Sequence, residues 1–297
     1  MLARFLTVAL FVAVTLVGRG ASAAEGDRGL LWEVRSATGT VFLLGTIHVG
    51  TRNLYPLPTA VERAYGQSTV LAVEADMTRQ DAMRAAAGSA VFEPPDNLER
   101  HVPAALFKDT IETLQGYGIP AEVGRGLKPH MLSMALTMFE VGRVGMDPAL
   151  GLDMHLLQRA HRDGKRVIEL ESAAQQLGML DAMPPESQVA MLESTVRGIR
   201  DKSLAADMEA IIGAWRDGDA EKMDEASTRD LDRMPASASA PLRRALYEDR
   251  NRAMAERIAG LLTGSETILV AVGAGHLTGS TGLVERLRSR GFKLQRR

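Results

Sequence analysis

Short apolar runs alternate with long amphipathic segments along the chain, and this pattern predicts strands separated by helices. LLWEVRS and VFLLGTI flank a glycine-containing turn, so they predict a β-hairpin over residues 30–47. Buried strands are predicted for STVLAVEAD, KRVIELES and ETILVAVG, and a final strand for FKLQ. We therefore expect an α/β fold with a central, mixed and mostly parallel sheet, to which the hairpin adds an antiparallel edge.

Helical periodicity fills the stretches between these strands. PLPTAVERAYGQ predicts a helix begun by prolines over residues 56–67, and a further helix is expected over 281–289. Two longer helical stretches cover about 78–161 and 172–262, the first broken at EPPDN and around GRGLKPH. Both exceed simple crossovers, so we expect large helical insertions that flank one side of the sheet.

The first 24 residues have the three parts of a secretory signal peptide. Basic MLAR precedes the apolar FLTVALFVAVTLVG, and the small residues ASAA follow. Cleavage is expected near Ala23 or Ala24, which leaves residues 25–297 as one domain in the periplasm or outside the cell. No later segment is long and apolar enough for a stable membrane span after signal cleavage.

Composition narrows the possible chemistry. The chain has no cysteine, which excludes a lipoprotein anchor, structural disulfides and thiol catalysis. Its formal net charge is −2 and falls further when the two signal-peptide arginines are removed. A mildly acidic protein of this kind gives no reason to expect a nucleic-acid partner.

Four predicted strands end on or just before an ionisable residue. These residues are His48 after VFLLGTI, Glu74 after VLAV, Glu171 after RVIEL and His276 after ILVAVGAG. Ligands of open α/β sheets collect outside the carboxyl ends of the strands, which lie about 4.8 Å apart. A glycine before each histidine lets the backbone turn sharply and approach a ligand. Two imidazoles with one or two carboxylates predict a divalent-metal site or a metal-free acid/base pair.

Each of these residues also has a structural interpretation. A single histidine after a strand is often a hydrogen-bonded structural residue, and a strand-end carboxylate can cap the next helix. We assign that second role, or simple solvation, to Asp76 and Glu169. The sequence GAGHLTGSTG is not a dinucleotide-binding loop, because its spacing is not G-x-G-x-x-G and it lies too near the C-terminus.

Arg250 interrupts the apolar stripe of its predicted helix, four residues from both Leu246 and Met254. A guanidinium in that position requires a buried carboxylate or an anionic substrate group, with Asn251 beside it, unless it extends to solvent. His130 is expected to begin a helix near the site. The remaining histidines are expected to be structural or exposed: His101, His155 and His161.

The chain resembles the TraB/PrgY/GumN family, which is similar to the Tiki metalloproteases of animals. The resemblance covers the mature chain and rests on WEVRSATGTVFLLGTIHVG, VEADM, GLDMHLLQRAHRDGKRVIELES, YEDRNRAMAERI and VAVGAGHLTGSTGLVERLRSRGF. Two Gly-x-x-His motifs are the hallmark of the family, and they are matched by Gly45–His48 and Gly273–His276. The implied fold is similar to that of erythromycin-esterase-like and haem-binding ChaN-like proteins.

The resemblance implies a metal-dependent hydrolase, in the first place a peptidase, and the signal peptide implies that it is exported. His48, Glu74 and His276 would hold the metal or act around it, as implied by the family's need for these histidines and this glutamate. The chain lacks the compact H-E-x-x-H helix of common zinc proteases, so spacing leaves Mn²⁺, Co²⁺ and Zn²⁺ open. The expected partner is a peptide or another small periplasmic substrate.

The same resemblance supports three further site positions. Glu171 would be a fourth ligand or the general base, while Arg250 and Asn251 would contact the substrate or a developing oxyanion. Two alternatives stay open at this stage. One is a metal-free, esterase-like hydrolase in which a histidine is the base, and the other is a non-catalytic periplasmic binding protein for haem, metal or peptide.

Overall fold

The computed structural model describes residues 29–76, 78–79 and 91–297, so the predicted signal peptide lies outside the described residues. A six-stranded sheet forms the centre of the fold, with the strand order β4-β3-β5-β2-β1-β6. In chain order the strands are β1 (Leu31–Arg35), β2 (Thr40–Thr46), β3 (Val70–Val73), β4 (Arg166–Glu169), β5 (Thr267–Gly273) and β6 (Lys293–Arg296).

The sheet is mixed and mostly parallel, as predicted. Strands β2, β5, β3 and β4 pair in parallel, one after another. Strand β1 pairs antiparallel with β2, which confirms the hairpin. The prediction that the hairpin forms an edge is wrong, because β6 pairs antiparallel along the outer side of β1. The edges of this sheet are therefore β4 and β6.

Burial follows the position of each strand in the sheet. All four residues of β3 are buried, and β5 is buried after its first residue. Strands covered on both faces read as continuous apolar runs, which is why both segments were recognisable in the sequence. Strand β4 lies at an edge and is exposed or half-buried throughout, so it tolerates a charge at each end.

Helices connect the strands and form the two predicted insertions. The segment 80–90, where the first insertion was expected to begin, lies outside the described residues. The helix predicted from residue 56 begins at Thr59, with Pro58 as its N-cap. In the described part of the chain the α-helices are α1 (Thr59–Gln67), α2 (Ala104–Gly116), α3 (Ala121–Gly126), α4 (Pro129–Arg143), α5 (Leu152–Arg162), α6 (Ala173–Asp181), α7 (Pro185–Arg200), α8 (Ser203–Asp217), α9 (Ala220–Arg233), α10 (Ala236–Arg243), α11 (Asp249–Leu261) and α12 (Leu283–Ser289).

The insertions carry small apolar clusters of their own, beside the main core around the sheet. One cluster joins α2, α4 and α7 through residues such as Leu114, Leu136 and Leu192. A second, rich in methionine, includes Met183 and Leu242. Helix α10 continues into α11 through a π-helical turn at Arg244–Glu248. None of the helices in the described part of the chain combines the length and the hydropathy needed to cross a bilayer.

Candidate functional site

The ends of the parallel strands converge on one edge of the sheet. Thr46 at the end of β2 is level with Gly273 at the end of β5. The segments that follow β3 and β4 remain hydrogen-bonded to each other, since the Glu171 N–H donates to the Glu74 carbonyl at 2.8 Å. The segments that leave four neighbouring strands therefore enter the same small region, as expected for an open parallel sheet.

Glu74 lies at the centre of this region. Its Oε1 accepts from the Gly273 N–H at 2.6 Å and lies 3.8 Å from His276 Nε2. Its Oε2 accepts from Gln176 Nε2 at 3.2 Å and from Arg250 Nη2 at 2.5 Å. Burial alone would raise the pKa of Glu74, but the neighbouring imidazoles and the guanidinium outweigh burial and lower it to about 2. Glu74 is therefore an ionised carboxylate at neutral pH.

His276 is held from behind by a buried amide. Its side chain is almost fully enclosed, and its Nδ1 lies 2.6 Å from Asn251 Oδ1. Asn251 Nδ2 donates to the Thr281 carbonyl oxygen at 3.0 Å. Because a carbonyl oxygen can only accept, the NH₂ group of the amide must face Thr281, and the amide oxygen must face the imidazole. Nδ1 therefore carries the proton and Nε2 keeps its lone pair towards Glu74. Burial lowers the pKa of His276 to about 4, so this imidazole is neutral.

His48 is the exposed histidine of the site, with 69% of its side chain accessible. Its Nδ1 lies 3.0 Å from Asp153 Oδ2, and the Thr46 hydroxyl donates to the other oxygen of Asp153. The Asp153 charge, helped by that of Glu74, raises the pKa of His48 to about 9. The two histidines are thus in opposite electrostatic surroundings, one beside a carboxylate and one beside an amide.

Gly273 keeps open the space between these groups. A Cβ atom built at this position would lie 3.2 Å from Glu74 Oε1, 3.3 Å from His48 Nε2 and 3.6 Å from His276 Cδ2. The backbone conformation of Gly273 is an ordinary extended one, so the requirement for glycine here concerns space. Any side chain at Gly273 would occupy the volume onto which the two histidines and the glutamate converge.

Arg250 pairs with a carboxylate inside the protein, which is one of the two partners expected for a guanidinium on an apolar stripe. Its Nε donates to both oxygens of Glu171, at 3.0 and 2.9 Å, and its Nη2 donates to Glu171 Oε1 at 2.7 Å. The same Nη2 also donates to Glu74, so one guanidinium links two carboxylates. Glu171 therefore faces Arg250 in this structure, with its oxygens turned to the guanidinium.

Asn251 contacts His276 in this structure. Only 1% of its surface is exposed, and its Oδ1 lies behind the imidazole. Sequence reasoning missed Asp153, although it stands in the GLDMH segment at the start of α5. It also missed Tyr247, whose ring centroid lies 5.5 Å from that of His276 and whose hydroxyl donates to the Ser227 carbonyl at 3.1 Å.

The other histidines serve the surrounding structure. His130 lies at the start of α4, as expected, but it is buried in the insertion with its Nδ1 2.9 Å from Gln188 Oε1. His101 stacks on an aromatic ring at 4.4 Å, and His155 packs against another at 4.6 Å. These contacts are structural, as predicted for His101 and His155.

Asp76 and Glu169 hold the backbone just beyond β3. Asp76 Oδ1 accepts from the Thr78 N–H at 2.9 Å, and its Oδ2 lies 3.3 Å from His161 Nε2. Glu169 Oε1 accepts from the Asp76 N–H at 2.8 Å. Both carboxylates therefore accept from backbone donors just beyond β3. The capping role predicted for Glu169 is wrong, because Ser172 caps the helix that follows β4.

The donors of the site suit a divalent cation by their chemistry. His48 and His276 turn their Nε2 atoms towards the site, and Glu74 adds a carboxylate, a set that Zn²⁺, Mn²⁺ and Co²⁺ accept. Oxygen acceptors on both Nδ1 atoms, from Asp153 and Asn251, match the support usually found behind metal-binding histidines. Among the described residues, no three His, Cys, Asp or Glu side chains are grouped closely enough to hold an ion. Glu74 instead directs its oxygens to Arg250, Gln176 and the Gly273 backbone.

Fold and site together define an α/β protein with a His–Glu–His cluster at the carboxyl ends of its parallel strands, backed by an arginine–glutamate pair. The chain belongs to the TraB/PrgY/gumN family, whose model matches residues 30–296. This match confirms the resemblance seen in the sequence.

Relatives of the chain include both uncharacterised and named proteins. It is 27% identical over 246 residues to the uncharacterized protein YbaP of Escherichia coli (strain K12), covering 83% of this chain and 87% of that one. It is 23% identical to the metalloprotease TIKI1 of Danio rerio, covering 89% of this chain and 62% of the relative. For the metalloprotease TIKI2 of the same fish the identity is 23%, with 86% and 58% covered. No solved structure matches the chain significantly.

Proposed function

We propose that the protein is an exported metal-dependent hydrolase, and that its substrate is a peptide or another small periplasmic molecule. The observation that carries the proposal is the pair of histidines whose Nδ1 atoms are held from behind, with both Nε2 atoms turned towards Glu74 and Gly273. The metalloprotease names of TIKI1 and TIKI2 support the reaction class. The predicted signal peptide supports export to the periplasm or beyond.

In this proposal His48, Glu74 and His276 would hold the ion, and they would have to move closer together than they lie in this structure. When bound, a divalent cation lowers the pKa of a bound water and polarises a carbonyl oxygen. The two imidazoles differ in access, because His48 is largely exposed whereas His276 is enclosed. The substrate therefore approaches from the His48 side, and His276 with Asn251 forms the inner wall.

Arg250 sets the charge of the site and offers one donor to a substrate. Its Nε and Nη2 are taken by Glu171 and Glu74, which keeps Glu74 ionised. Its Nη1 has one long contact, to the Leu246 carbonyl at 3.4 Å. In the described part of the structure Nη1 is thus the guanidinium nitrogen best able to meet an anionic substrate group or a developing oxyanion. Glu171 serves here by fixing Arg250.

Metal content tests the first half of the proposal. Residues 25–297 would be purified without chelator or affinity tag and assayed by inductively coupled plasma mass spectrometry, beside a His48→Ala/His276→Ala variant. A His101→Ala/His161→Ala variant is the matched control, since it removes two histidines outside the site. We expect near-stoichiometric metal in the wild type and the control, and loss in the folded site variant. Absence of metal in all three after incubation with Mn²⁺, Co²⁺ and Zn²⁺ would overturn the proposal.

Peptide hydrolysis tests the second half. We expect cleavage of members of a mixed peptide library by the metal-loaded protein, loss of cleavage after chelation, and recovery when the same ion is restored. Both single variants, His48→Ala and His276→Ala, should be folded but inactive. His48→Ala should melt near the wild-type temperature, whereas His276→Ala should melt lower, because it leaves buried Asn251 Oδ1 without its donor. Cleavage that survives in a folded His276→Ala variant would exclude that histidine from the site.

A metal-free hydrolase is the second candidate, and one observation favours it. The Asp153–His48 pair has the carboxylate–imidazole arrangement of a general base, and both oxygens of Glu74 already have donors. In this case unprotonated His48 Nε2 would take a proton from water directly, and since the pKa of His48 is about 9, this activity should rise as the pH is raised towards 9. Hydrolysis of ester or amide substrates that resists exhaustive chelation, yet is lost in His48→Ala, would establish this candidate over the first.

A further inference from the structure

We propose that Asp153 is a positioning residue for His48, whose carboxylate keeps the proton on Nδ1 and turns Nε2 towards Glu74 and Gly273. The effect on the imidazole stands on geometry alone. Its consequence for hydrolysis rests on the function proposed above.

Both oxygens of Asp153 form hydrogen bonds with residues at the end of β2 and in the turn that follows it. Oδ2 lies 3.0 Å from His48 Nδ1, and Oδ1 accepts from the Thr46 hydroxyl. An ionised carboxylate only accepts hydrogen bonds, so Nδ1 must be the donor and the lone pair of a neutral imidazole must reside on Nε2. Thr46 fixes the carboxylate plane from the other side, which leaves the ring one preferred orientation.

The segment that carries Asp153 is itself docked on the His48 turn. The Leu152 N–H donates to the Ile47 carbonyl at 2.9 Å. Gly50 and Asp147 exchange two backbone hydrogen bonds, at 3.0 and 2.9 Å. Residues 147–153 therefore follow residues 46–50 along their length, and the approach of Asp153 to His48 is fixed by backbone at both ends.

Gly151 makes this close approach possible. A Cβ atom at that position would lie 2.3 Å from the His48 carbonyl oxygen, a distance that no side chain can adopt. The φ angle of Gly151 is −65°, so glycine is needed for contact and not for an unusual backbone conformation. The first turn of α5 can thus bring Asp153 within hydrogen-bonding distance of the imidazole.

A purely structural role for Asp153, at the N-terminus of α5, does not explain where its carboxylate points. An acid in the first turn of a helix is favourable beside the helix N-terminus, wherever its side chain points. The Asp153 carboxylate turns instead to His48 and Thr46, and within the described residues no side chain caps the N-terminus of α5. A helix-terminal role would not depend on which nitrogen of His48 carries the proton, so the tautomer distinguishes the two roles.

The test is a long-range ¹H–¹⁵N correlation spectrum of the histidine side chains of the metal-free mature protein, at a pH where His48 is neutral. The chain has six histidines, so the His48 signals can be assigned by their loss in His48→Ala. We expect the Nδ1–H tautomer in the wild type and a large population of the Nε2–H tautomer in Asp153→Ala. Asp153→Leu, which is close to aspartate in size and has no acceptor, is the substitute if the alanine variant does not fold. Asp147→Ala removes a carboxylate of the same segment that bonds to the Ala149 N–H, and it should leave the tautomer unchanged.

A wild-type Nε2–H tautomer, or the same Nδ1–H tautomer in the folded Asp153 variant, would overturn the inference. Competition with a chelating dye above pH 9, where His48 is unprotonated in both proteins, adds a second readout, in which Asp153→Ala should weaken Co²⁺ binding about 10–100-fold. A tautomer change in a protein that binds no metal would support the positioning role and refute the metal-dependent function. Equal metal binding by the wild type and Asp153→Ala, with the same tautomer in both, would refute the positioning role and leave the metal-dependent function standing.

Discussion

Asn251 Oδ1 lies 2.6 Å from His276 Nδ1, and this contact decides which nitrogen of the imidazole faces Glu74. The Thr281 carbonyl fixes the amide, and the amide fixes the tautomer. A buried asparagine thus orients one imidazole of the candidate site. Its replacement should therefore act through His276.

Asn251→Ala is expected to lower the free energy of unfolding by about 1–3 kcal/mol, because it leaves the buried Nδ1 of His276 without its acceptor. Asn251→Asp should lower the free energy of unfolding by less than Asn251→Ala does. It should also raise the pKa of His276 well above about 4, since a carboxylate favours the imidazolium. Urea unfolding and histidine NMR titration measure the two effects. An unchanged pKa in Asn251→Asp would show that the amide does not control the ring.

Arg250→Ala is expected to be the most destabilising change in the site, by about 3–5 kcal/mol, because it leaves two buried carboxylates without their cation. Removing a partner as well should restore part of the loss, so Arg250→Leu/Glu171→Leu should be more stable than Arg250→Ala. Urea unfolding of the three proteins provides the comparison. Arg252→Ala, an exposed arginine two positions along α11, is the control and should change stability by less than about 0.5 kcal/mol. Equal stability of Arg250→Ala and Arg252→Ala would contradict the ion-pair account.

Gly273→Ala should abolish metal binding and hydrolysis while it leaves the fold intact. The added methyl would lie 3.2 Å from Glu74 Oε1 and 3.3 Å from His48 Nε2, so it would separate the donors without clashing deeply with the core. Gly260→Ala is the control, because nothing lies within 4 Å of its Cβ position and alanine is favoured in a helix. Metal content, activity and melting temperature of both variants would be compared. Full metal occupancy in Gly273→Ala would place the ion elsewhere.

The residues that sequence reasoning found are those whose role follows from local pattern. His48, Glu74 and His276 each end an apolar strand, and parallel strands bring such ends together at one edge. Arg250 was visible because it interrupts an apolar stripe. The continuous apolar runs of β3 and β5 likewise indicated buried strands.

The residues that were missed, or given another role, depend on contacts between distant segments. Asp153 meets His48 across 105 positions, through the docking of residues 147–153 on the first Gly-x-x-His turn. Asn251 was assigned to the substrate because its neighbour Arg250 was, but successive residues of a helix point in different directions. The position of β6 at the edge of the sheet was missed because the sequence of a short polar strand does not indicate which strand it pairs with.

Metal uptake should release close to one proton at pH 7.5, and His48 should be its source. The Asp153 charge raises the pKa of His48 to about 9, so the metal-free site holds a proton there at neutral pH. His276 has a pKa of about 4 and Glu74 of about 2, so neither carries a proton to displace. Because the ion requires the unprotonated nitrogen, apparent affinity should rise about tenfold per pH unit up to roughly pH 9 and then level off.

Asp153→Ala removes the charge that raises the pKa of His48, so its proton release at pH 7.5 should fall and its affinity should level off nearer pH 6.5–7. Isothermal titration calorimetry in buffers of different ionisation enthalpy measures the proton count directly. Below the plateau the two effects of this substitution oppose each other, because easier deprotonation strengthens binding while a poorly oriented ring weakens it. Above pH 9 only the orientation remains, so the variant should there bind more weakly than the wild type. Equal proton release by the two proteins at pH 7.5 would mean that Asp153 does not set the charge of His48.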